Sequence, residues 1–264
     1  MNKALIRVAA CDLHDGAFSW RVWLGLAWKD IQMRYSRSLL GPLWLTIGMV
    51  VWAIGIGMVW STLFHVKLEG YMPYLTAGIL AWQLYSQSLV EATMIFVTSK
   101  AILDSIDLPT SLQVFRFACR QLFVYLHGLP AFLLVALVFH VDVNFNTLLF
   151  IPGLALAMLN ILWTAMFLGV LGARYRDVQQ IIANAIMLLF FVTPIFWERS
   201  FLQNKTIIAD ANPIFHLVNL IRAPLLGEVP PWESYAVAIG LAIVGWTFTF
   251  LFFARFRIRL HYWI

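Results

Sequence analysis

The chain has 264 residues, of which 62% are hydrophobic and 12% are charged, and its mean hydropathy is +0.82. Because soluble globular domains carry about 25% charged residues, this composition excludes a soluble domain and indicates one integral membrane domain over residues 1–264. The net charge of +5 is modest, and we expect no nucleic-acid partner. The two cysteines and six histidines show no metal-ligand spacing, so we expect no metal site. Residues 1–17 lack the apolar core of a cleavable signal peptide.

Residues 18–38 have the pattern of an amphipathic helix. Apolar side chains recur at the spacing of one helix face, and they are Trp20, Trp23, Leu24, Ala27 and Ile31. Basic side chains fall on the other side, so the helix is expected to lie in the membrane interface. It is either a plain anchor or a cradle for the head group of an anionic lipid-linked substrate, which would enter beside Arg34, Tyr35 and Arg37.

Six later stretches are long and apolar enough to cross a bilayer, whose core of about 30 Å needs about 20 helical residues. They cover residues 39–64, 72–97, 112–139, 147–172, 178–197 and 233–254. An even number of spans puts both termini on one side. All but four of the 18 lysines and arginines lie on that side, and such an excess marks the cytoplasm. The four exceptions are Lys67, Arg199, Lys205 and Arg222.

One carboxylate, Glu91, stands inside an apolar stretch, near the cytoplasmic end of the second span. Arg116 and Arg120 lie at the matching depth of the third span. An ionisable group within a membrane is a functional hypothesis that needs a named partner, and we expect Glu91 to pair with Arg120 or Arg116. The alternative is a purely structural ion pair whose side chains reach the interface.

Aromatic residues form a second candidate set. Tryptophans near span ends fit the aromatic belts of membrane interfaces, but several aromatic residues fall near mid-membrane. Sugar rings present C–H faces that stack on aromatic planes, so a pathway lined in this way could pass a polysaccharide. The candidate lining residues are Trp52, Tyr85, Phe190, Phe191, Phe196 and Trp197. The alternative is that such side chains face lipid.

The fifth span stops at Pro194–Trp197, and a short amphipathic segment follows at residues 212–227. Asn212 is a predicted helix cap, Pro213 a first-turn residue and Gly227 a helix end. About 14 helical residues rise about 21 Å, too little for a crossing. The segment, which contains Arg222, is therefore expected to dip into the outer leaflet and help close a pathway there. The alternative is a helix resting on the membrane surface.

The chain shows no phosphate-binding loop and no span rich in paired acids, so active transport needs a partner that supplies the energy. Two cytoplasmic loops, 99–111 and 173–177, suit contact with such a partner. Their candidate residues are Asp104, Asp107, Pro109, Arg174, Arg176 and Asp177. A membrane transferase or a channel are the competing classes. A transferase needs metal-binding carboxylates near the cytoplasmic face, and a channel needs a selectivity ring. The sequence shows neither clearly.

Four motifs in the same order resemble the membrane subunit of ABC-2 type polysaccharide exporters. They are Asp30–Trp44, Arg174–Val178, Thr193–Trp197 and Asn212–Gly227. O-antigen export permeases are the nearest group, and teichoic-acid and capsule export permeases are alternatives within the family. Leu108-Pro109 stands where relatives usually carry Phe-Pro, a departure confined to the loop that would face the partner.

The resemblance implies an all-α membrane fold with an interface helix, six transmembrane helices and two short periplasmic re-entrant helices between spans five and six. It implies a homodimer in the bacterial inner membrane, with both termini cytoplasmic, bound to two copies of a cytoplasmic ATP-binding subunit. ATP and Mg would be held by that partner, so the chain itself would be no enzyme and hold no cofactor. The expected substrate is a polyprenyl-diphosphate-linked polysaccharide, and a polyprenol-phosphate transferase remains the alternative outside the family.

Overall fold

The computed structural model describes residues 3–264 except residue 42, residue 106 and residues 200–206. Lys205 of the charge count and Pro42 of the first motif therefore lie outside the described residues. In the described part every regular element is a helix. In chain order the helices are α1 (Lys3–Phe18), α2 (Trp20–Tyr35), α3 (Leu43–Phe64), α4 (Leu68–Ala92), α5 (Ile95–Thr98), α6 (Lys100–Ser105), α7 (Leu112–Val138), a 3-10 helix (Phe145–Leu149), α8 (Phe150–Arg174), α9 (Val178–Val192), α10 (Ile207–Asp210), α11 (Pro213–Leu225) and α12 (Trp232–Trp263).

Four helical stretches among the described residues are long and apolar enough to cross a membrane. They are Leu43–Leu63, Leu112–Val138, Phe145–Arg174 and Trp232–Leu260. The other two predicted spans are also helical. However, α4 carries several polar side chains along its 25 residues, and α9 has 15 residues. Since a helix rises 1.5 Å per residue, α9 is about 22 Å long, less than the apolar core of a bilayer.

Several boundaries differ from those that the sequence predicts. The fifth span ends at Val192 rather than at residue 197, because the residue before Pro194 is driven out of the helical conformation. The second span begins four residues earlier and ends at Ala92, where a turn separates α4 from α5. The sixth continues to Trp263, nine residues past its predicted end.

The N-terminal segment contains two helices rather than one. Residues 3–18 form α1, which sequence analysis missed, and the amphipathic helix predicted over 18–38 is α2. Ala27 and Ile31 of the predicted apolar stripe are buried. They lie on the side of α2 that packs against α7, where the rings of Trp23 and Phe115 stack with centroids 6.3 Å apart. The other face of α2 stays open, as an interface helix requires.

The N-terminal helix and the last turns of α12 meet at one end of the bundle. Arg257 of α12 lies 2.6 Å from the carboxylate of Asp12 in α1. Asp12 also accepts hydrogen bonds from the backbone N–H groups of Thr110 and Ser111, just before α7. Both chain ends therefore lie together, as an even number of crossings requires.

Small residues allow the close helix contacts at the same end. A Cβ atom on Gly172 of α8 would collide with the backbone of Thr93, just after α4, and one on Gly16 of α1 would collide with Ser111. Close backbone approach through small residues is how helices associate where lipid supplies no hydrophobic driving force. The ends of α1, α4 and α8 are thus packed tightly around the loops that connect the spans.

We predict that a cysteine at Val143, a position 79% exposed between α7 and the 3-10 helix, reacts with a membrane-impermeant maleimide added to intact cells. Cysteines at Asp104 and Tyr175 should react only after lysis, because the charge distribution places them in the cytoplasm. The measurement uses a Cys11→Ser background, since Cys11 is exposed. Labelling of position 175 in intact cells would overturn the topology.

Candidate functional site

The chain leaves the helical conformation directly after α9, and this break defines one half of the site. The freed carbonyl groups are bonded by tyrosines from the first turns of α4. The hydroxyl of Tyr71 donates to the carbonyl of Phe196 at 2.5 Å, and that of Tyr74 donates to the carbonyl of Trp197 at 3.2 Å. Irregular backbone at membrane depth is tolerated only where it is buried in protein or lines a cavity. These bonds meet that requirement for the segment after Pro194.

Arg222 of α11 binds the same break from the other side. Its side chain is 4% exposed, its Nη1 donates to the carbonyl of Pro194 at 2.6 Å, and its Cζ lies 4.2 Å from the ring centroid of Tyr74. A buried charge is costly unless hydrogen bonds or a π face stabilise it, and both are present here. Arg222, which the charge count placed among outward-facing residues, therefore fastens α11 to the broken end of α9.

The helix α11 is the short segment that the sequence predicts over residues 212–227. The side chain of Asn212 accepts from the N–H of Ile214 at 3.0 Å and donates to Thr193 at 2.8 Å. Pro213 is the first helical residue, and Gly227 closes the helix with a φ of +76°. From Phe215 to Leu225 only Asn219 is not buried.

The position of α11 differs from that of a helix lying on the membrane surface. It packs against α4, α8 and α12, and Arg222 lies beside Gly78 of α4. Gly78 is ten residues past Leu68, about 15 Å along the helix axis. Burial on all sides and contact far along α4 mean that α11 is inserted among the spanning helices.

A cavity of about 1010 Å³ opens beside α11, between the first turns of α4 and α12. Its volume lies at the upper end of the range for ligand pockets, about 300–1,000 Å³. Among the described residues, six carboxylates and two arginines line it, and a negative field of this kind repels anions. The carboxylates are those of Glu69, Asp142, Glu198, Asp210, Glu228 and Glu233.

The candidate aromatic residues divide into two groups. Phe190, Phe191 and Phe196 form one cluster, with ring centroids 5.3–6.2 Å apart. Trp60 and Trp82 extend it, at 4.7 Å from Phe196 and 5.6 Å from Phe190 respectively. Trp197 is joined to this cluster through a hydrogen bond from its indole N–H to the carbonyl of Phe191.

The remaining two aromatic candidates lie apart from this cluster. Trp52 is 58% exposed on α3, whereas Tyr85 is 4% exposed inside the bundle. Within the described residues, therefore, the structure brings the candidates on and after α9 together and leaves Trp52 and Tyr85 separate.

At the opposite end of the bundle two ion pairs join three helices. Glu91 of α4 lies 3.0 Å from Arg120 of α7, while Arg116 of α7 lies 2.5 Å from Asp30 of α2. Sequence analysis left Arg116 and Arg120 as equal candidate partners of Glu91, and it assigned no ion pair to Asp30. Both pairs line a cavity of about 480 Å³, and Gln179 of α9 lines it as well.

The proposed substrate-entrance residues and loop residues are at this same end. Arg34 and Arg37 are exposed, and Tyr35 is half-buried at the end of α2. Burial raises the pKa of the Tyr35 phenol, although Arg34 acts in the opposite direction, so the phenol is neutral at physiological pH. In the first loop Asp104 and Asp107 are exposed and Pro109 is half-buried. In the second loop Arg174, Arg176 and Asp177 are exposed.

The fold is that of a helical membrane protein with a broken helix at one end and exposed connecting loops at the other. Sequence comparison identifies the family to which the chain belongs. The family profile described as ABC-2 type transporter matches residues 21–226, so the chain belongs to the ABC-2 type transporter family. This confirms the resemblance seen in the four sequence motifs.

Individual relatives match along most of the chain. Two O-antigen export system permease proteins, RfbA, of Klebsiella pneumoniae are each 22% identical to it. They align over 82% and 87% of this chain and over 86% and 88% of their own lengths. The protein of the same name from Myxococcus xanthus is 19% identical over 76% of this chain and 78% of its own length.

We predict that Arg222→Ala lowers the temperature of unfolding in detergent, measured by tryptophan fluorescence. A hydrogen bond to a charged group contributes about 1.5–3 kcal/mol, and Pro194 would lose one. Arg222→Lys should recover only part of the lost unfolding temperature. An ammonium group stacks less well on an aromatic ring than the planar guanidinium, and it lacks the fixed set of N–H donors that guanidinium presents.

The matched control is Arg199→Ala, since Arg199 forms an exposed ion pair with Asp210 and exposed pairs contribute about 0–1 kcal/mol. Equal unfolding temperatures for the Arg222→Ala and Arg199→Ala proteins would show that Arg222 does not hold the break.

Proposed function

We propose that this chain is the transmembrane subunit of an ATP-driven exporter that moves a polyprenyl-diphosphate-linked polysaccharide of O-antigen type out of the cytoplasm. The observation that carries the proposal is the alignment, over more than three quarters of both chains, with permeases named for O-antigen export. Energy would come from a separate ATP-binding subunit that holds ATP and Mg. By family resemblance the assembly would be a homodimer of this chain with two such subunits.

The proposed topology is six crossings in the bacterial inner membrane, with both termini in the cytoplasm. Two features support counting α4 and α9 as crossings. The start of α4 and the end of α9 are joined at the break by Tyr71, whereas the end of α4 is joined through Glu91 to the first turns of α7. Helix α4 therefore runs between the two ends of the bundle. Helix α9 alone is too short to cross the bilayer core. The irregular segment after it would complete the crossing, because its carbonyl groups are hydrogen-bonded within the protein.

The substrate would use the two ends differently. Arg34 and Arg37, exposed at the end of α2, would attract the diphosphate at headgroup level. The glycan would then pass the aromatic cluster at the end of α9, because the C–H faces of sugar rings stack on aromatic planes without a fixed register. The acidic cavity beside α11 would repel the diphosphate but not a neutral glycan, which favours release there. In this scheme α11, with Asn212, Pro213 and Arg222, closes the outer end.

The exposed loops 99–111 and 173–177 would contact the ATP-binding subunit. They lie at the end of the bundle where the positive charge is concentrated. Loop 99–111 contains α6 and leads into α7, and loop 173–177 joins α8 directly to α9. A displacement of either loop would therefore act on at least one of the long helices.

The decisive experiment deletes the gene in its native bacterium and measures both surface polysaccharide and its lipid-linked precursor. Loss of surface O-antigen with accumulation of intracellular precursor is expected, and an ATP-binding protein should copurify with the tagged chain. Unchanged surface O-antigen contradicts the proposal. If capsule or teichoic acid is lost instead, the chain is an exporter of that glycan. Failure to make any precursor would identify the transferase alternative.

We predict that Arg34→Ala with Arg37→Ala reduces export about tenfold or more at normal protein levels. Each basic residue near an anionic surface contributes about 1 kcal/mol, and 1.4 kcal/mol corresponds to a factor of ten in affinity. The control is Lys3→Ala with Arg7→Ala, which removes two exposed charges from α1. Surface polysaccharide in the deletion strain carrying each variant gives the measurement. Equal export by both double variants would rule out the entrance assignment.

A further inference from the structure

The last ten residues of the chain, Arg255–Ile264, continue α12 beyond its apolar part and are called here the α12 tail. Leu260 within it is fully buried, and α12 packs against α1 at this end of the bundle. The tail is therefore packed against the bundle rather than projecting from it. Sequence analysis attributed only topology-determining charge to this segment.

One end of the tail is joined to α1 and to the loop before α7. Arg257 contacts Asp12 through Nε at 2.7 Å and through Nη2 at 2.6 Å. Asp12, whose side chain is 1% exposed, also binds the N–H groups of Thr110 and Ser111 at 3.0 and 2.9 Å. A single buried carboxylate thus connects the tail to the last residues of loop 99–111.

The other end of the tail contacts the second loop and the start of the first. The guanidinium of Arg174 lies 5.1 Å from the ring centroid of Trp263, and the ammonium of Lys100 donates to the carbonyl of Ile264 at 2.5 Å. Arg174 also lies 4.9 Å from the ring of Tyr175. Both loops proposed to meet the ATP-binding subunit are consequently held by one helix.

We propose that the α12 tail is a positioning element that keeps loops 99–111 and 173–177 in a fixed relative arrangement. The role of the tail in coupling ATP hydrolysis to export rests on the proposed function, whereas its effect on the arrangement of the two loops does not. The tail is the last part of α12, a helix of 32 residues. A movement of either loop would therefore be transmitted along α12. The alternative role for the tail is a charged anchor at the membrane surface. Exposed basic side chains would suffice for that role, and Arg255 and Arg259 are exposed. Arg257 differs because its charge is paired with buried Asp12.

The geometry is tested with spin labels at Ala101 and Arg176, which are both exposed, in a Cys11→Ser, Cys119→Ala background. Labelled chains are diluted with an excess of unlabelled chain in nanodiscs, so that only distances within one chain are measured. Trp263→Ala should broaden the distance distribution, and Trp263→Phe should broaden it less because a ring remains. Tyr262→Ala is the control, since Tyr262 is 84% exposed. An unchanged distribution in Trp263→Ala overturns the proposal, whatever the protein exports.

The functional consequence is measured in proteoliposomes that contain the chain and its ATP-binding subunit. Arg257→Ala and Trp263→Ala should lower the glycan exported per ATP hydrolysed by about fivefold or more, the lower range of coupling between sites, while the two subunits still copurify. Arg259→Ala removes the same charge from an exposed position and should leave the ratio unchanged. Equal ratios for Arg257→Ala and Arg259→Ala contradict the coupling role. Absence of glycan export by the parent protein would instead contradict the proposed function.

Discussion

The break after α9 places a strict requirement on the structure, because carbonyl groups inside a membrane bundle must find donors within the protein. Tyr71 and Tyr74 supply them from α4, and Arg222 supplies one from α11. The donors come from two helices, α4 and α11, and the acceptors follow α9, so satisfying the break also determines how α4, α9 and α11 meet. Arg222 is stable in this position only because Pro194 and the Tyr74 ring replace its water. Pro194 ends α9, and the bonds to the segment that follows hold the inserted helix α11 against that end.

Local sequence patterns predicted those parts of the fold that depend on neighbouring residues. The cap at Asn212, the proline after it and the turn at Gly227 act within a few residues, and each appears as expected. The apolar stretches likewise predicted where helices occur, and only their boundaries changed. The interface helix was recognised from its periodicity, but α1 was not, because its buried residues, Ala9, Asp12 and Gly16, do not form an apolar stripe.

Pairings between distant residues could not be predicted in the same way. Asp30 and Arg116 are 86 positions apart, and Asp12 and Arg257 are 245 apart. Spacing along the chain contains no information about such contacts, because they depend on how whole helices pack. The aromatic candidates could not be divided into groups from the sequence for a related reason. Lipid, a partner chain and a glycan all accept an aromatic face, so composition alone cannot separate exposed Trp52 from buried Tyr85.

Helices α4 and α12 are two of the helices that run between the ends of the bundle. Helix α4 binds the break through Tyr71 and ends at the ion pair of Glu91, and α12 runs from Ser234, which bonds His216 of α11, to Arg257. A packed helix resists bending over this length, since interiors are dense and transmit displacement rather than absorb it. In the proposed exporter, a shift of loops 99–111 and 173–177 would therefore reach the contacts of α11 along both helices. In that proposal, the bond from Arg222 to Pro194 is one of the contacts that would differ between a closed and an open outer end.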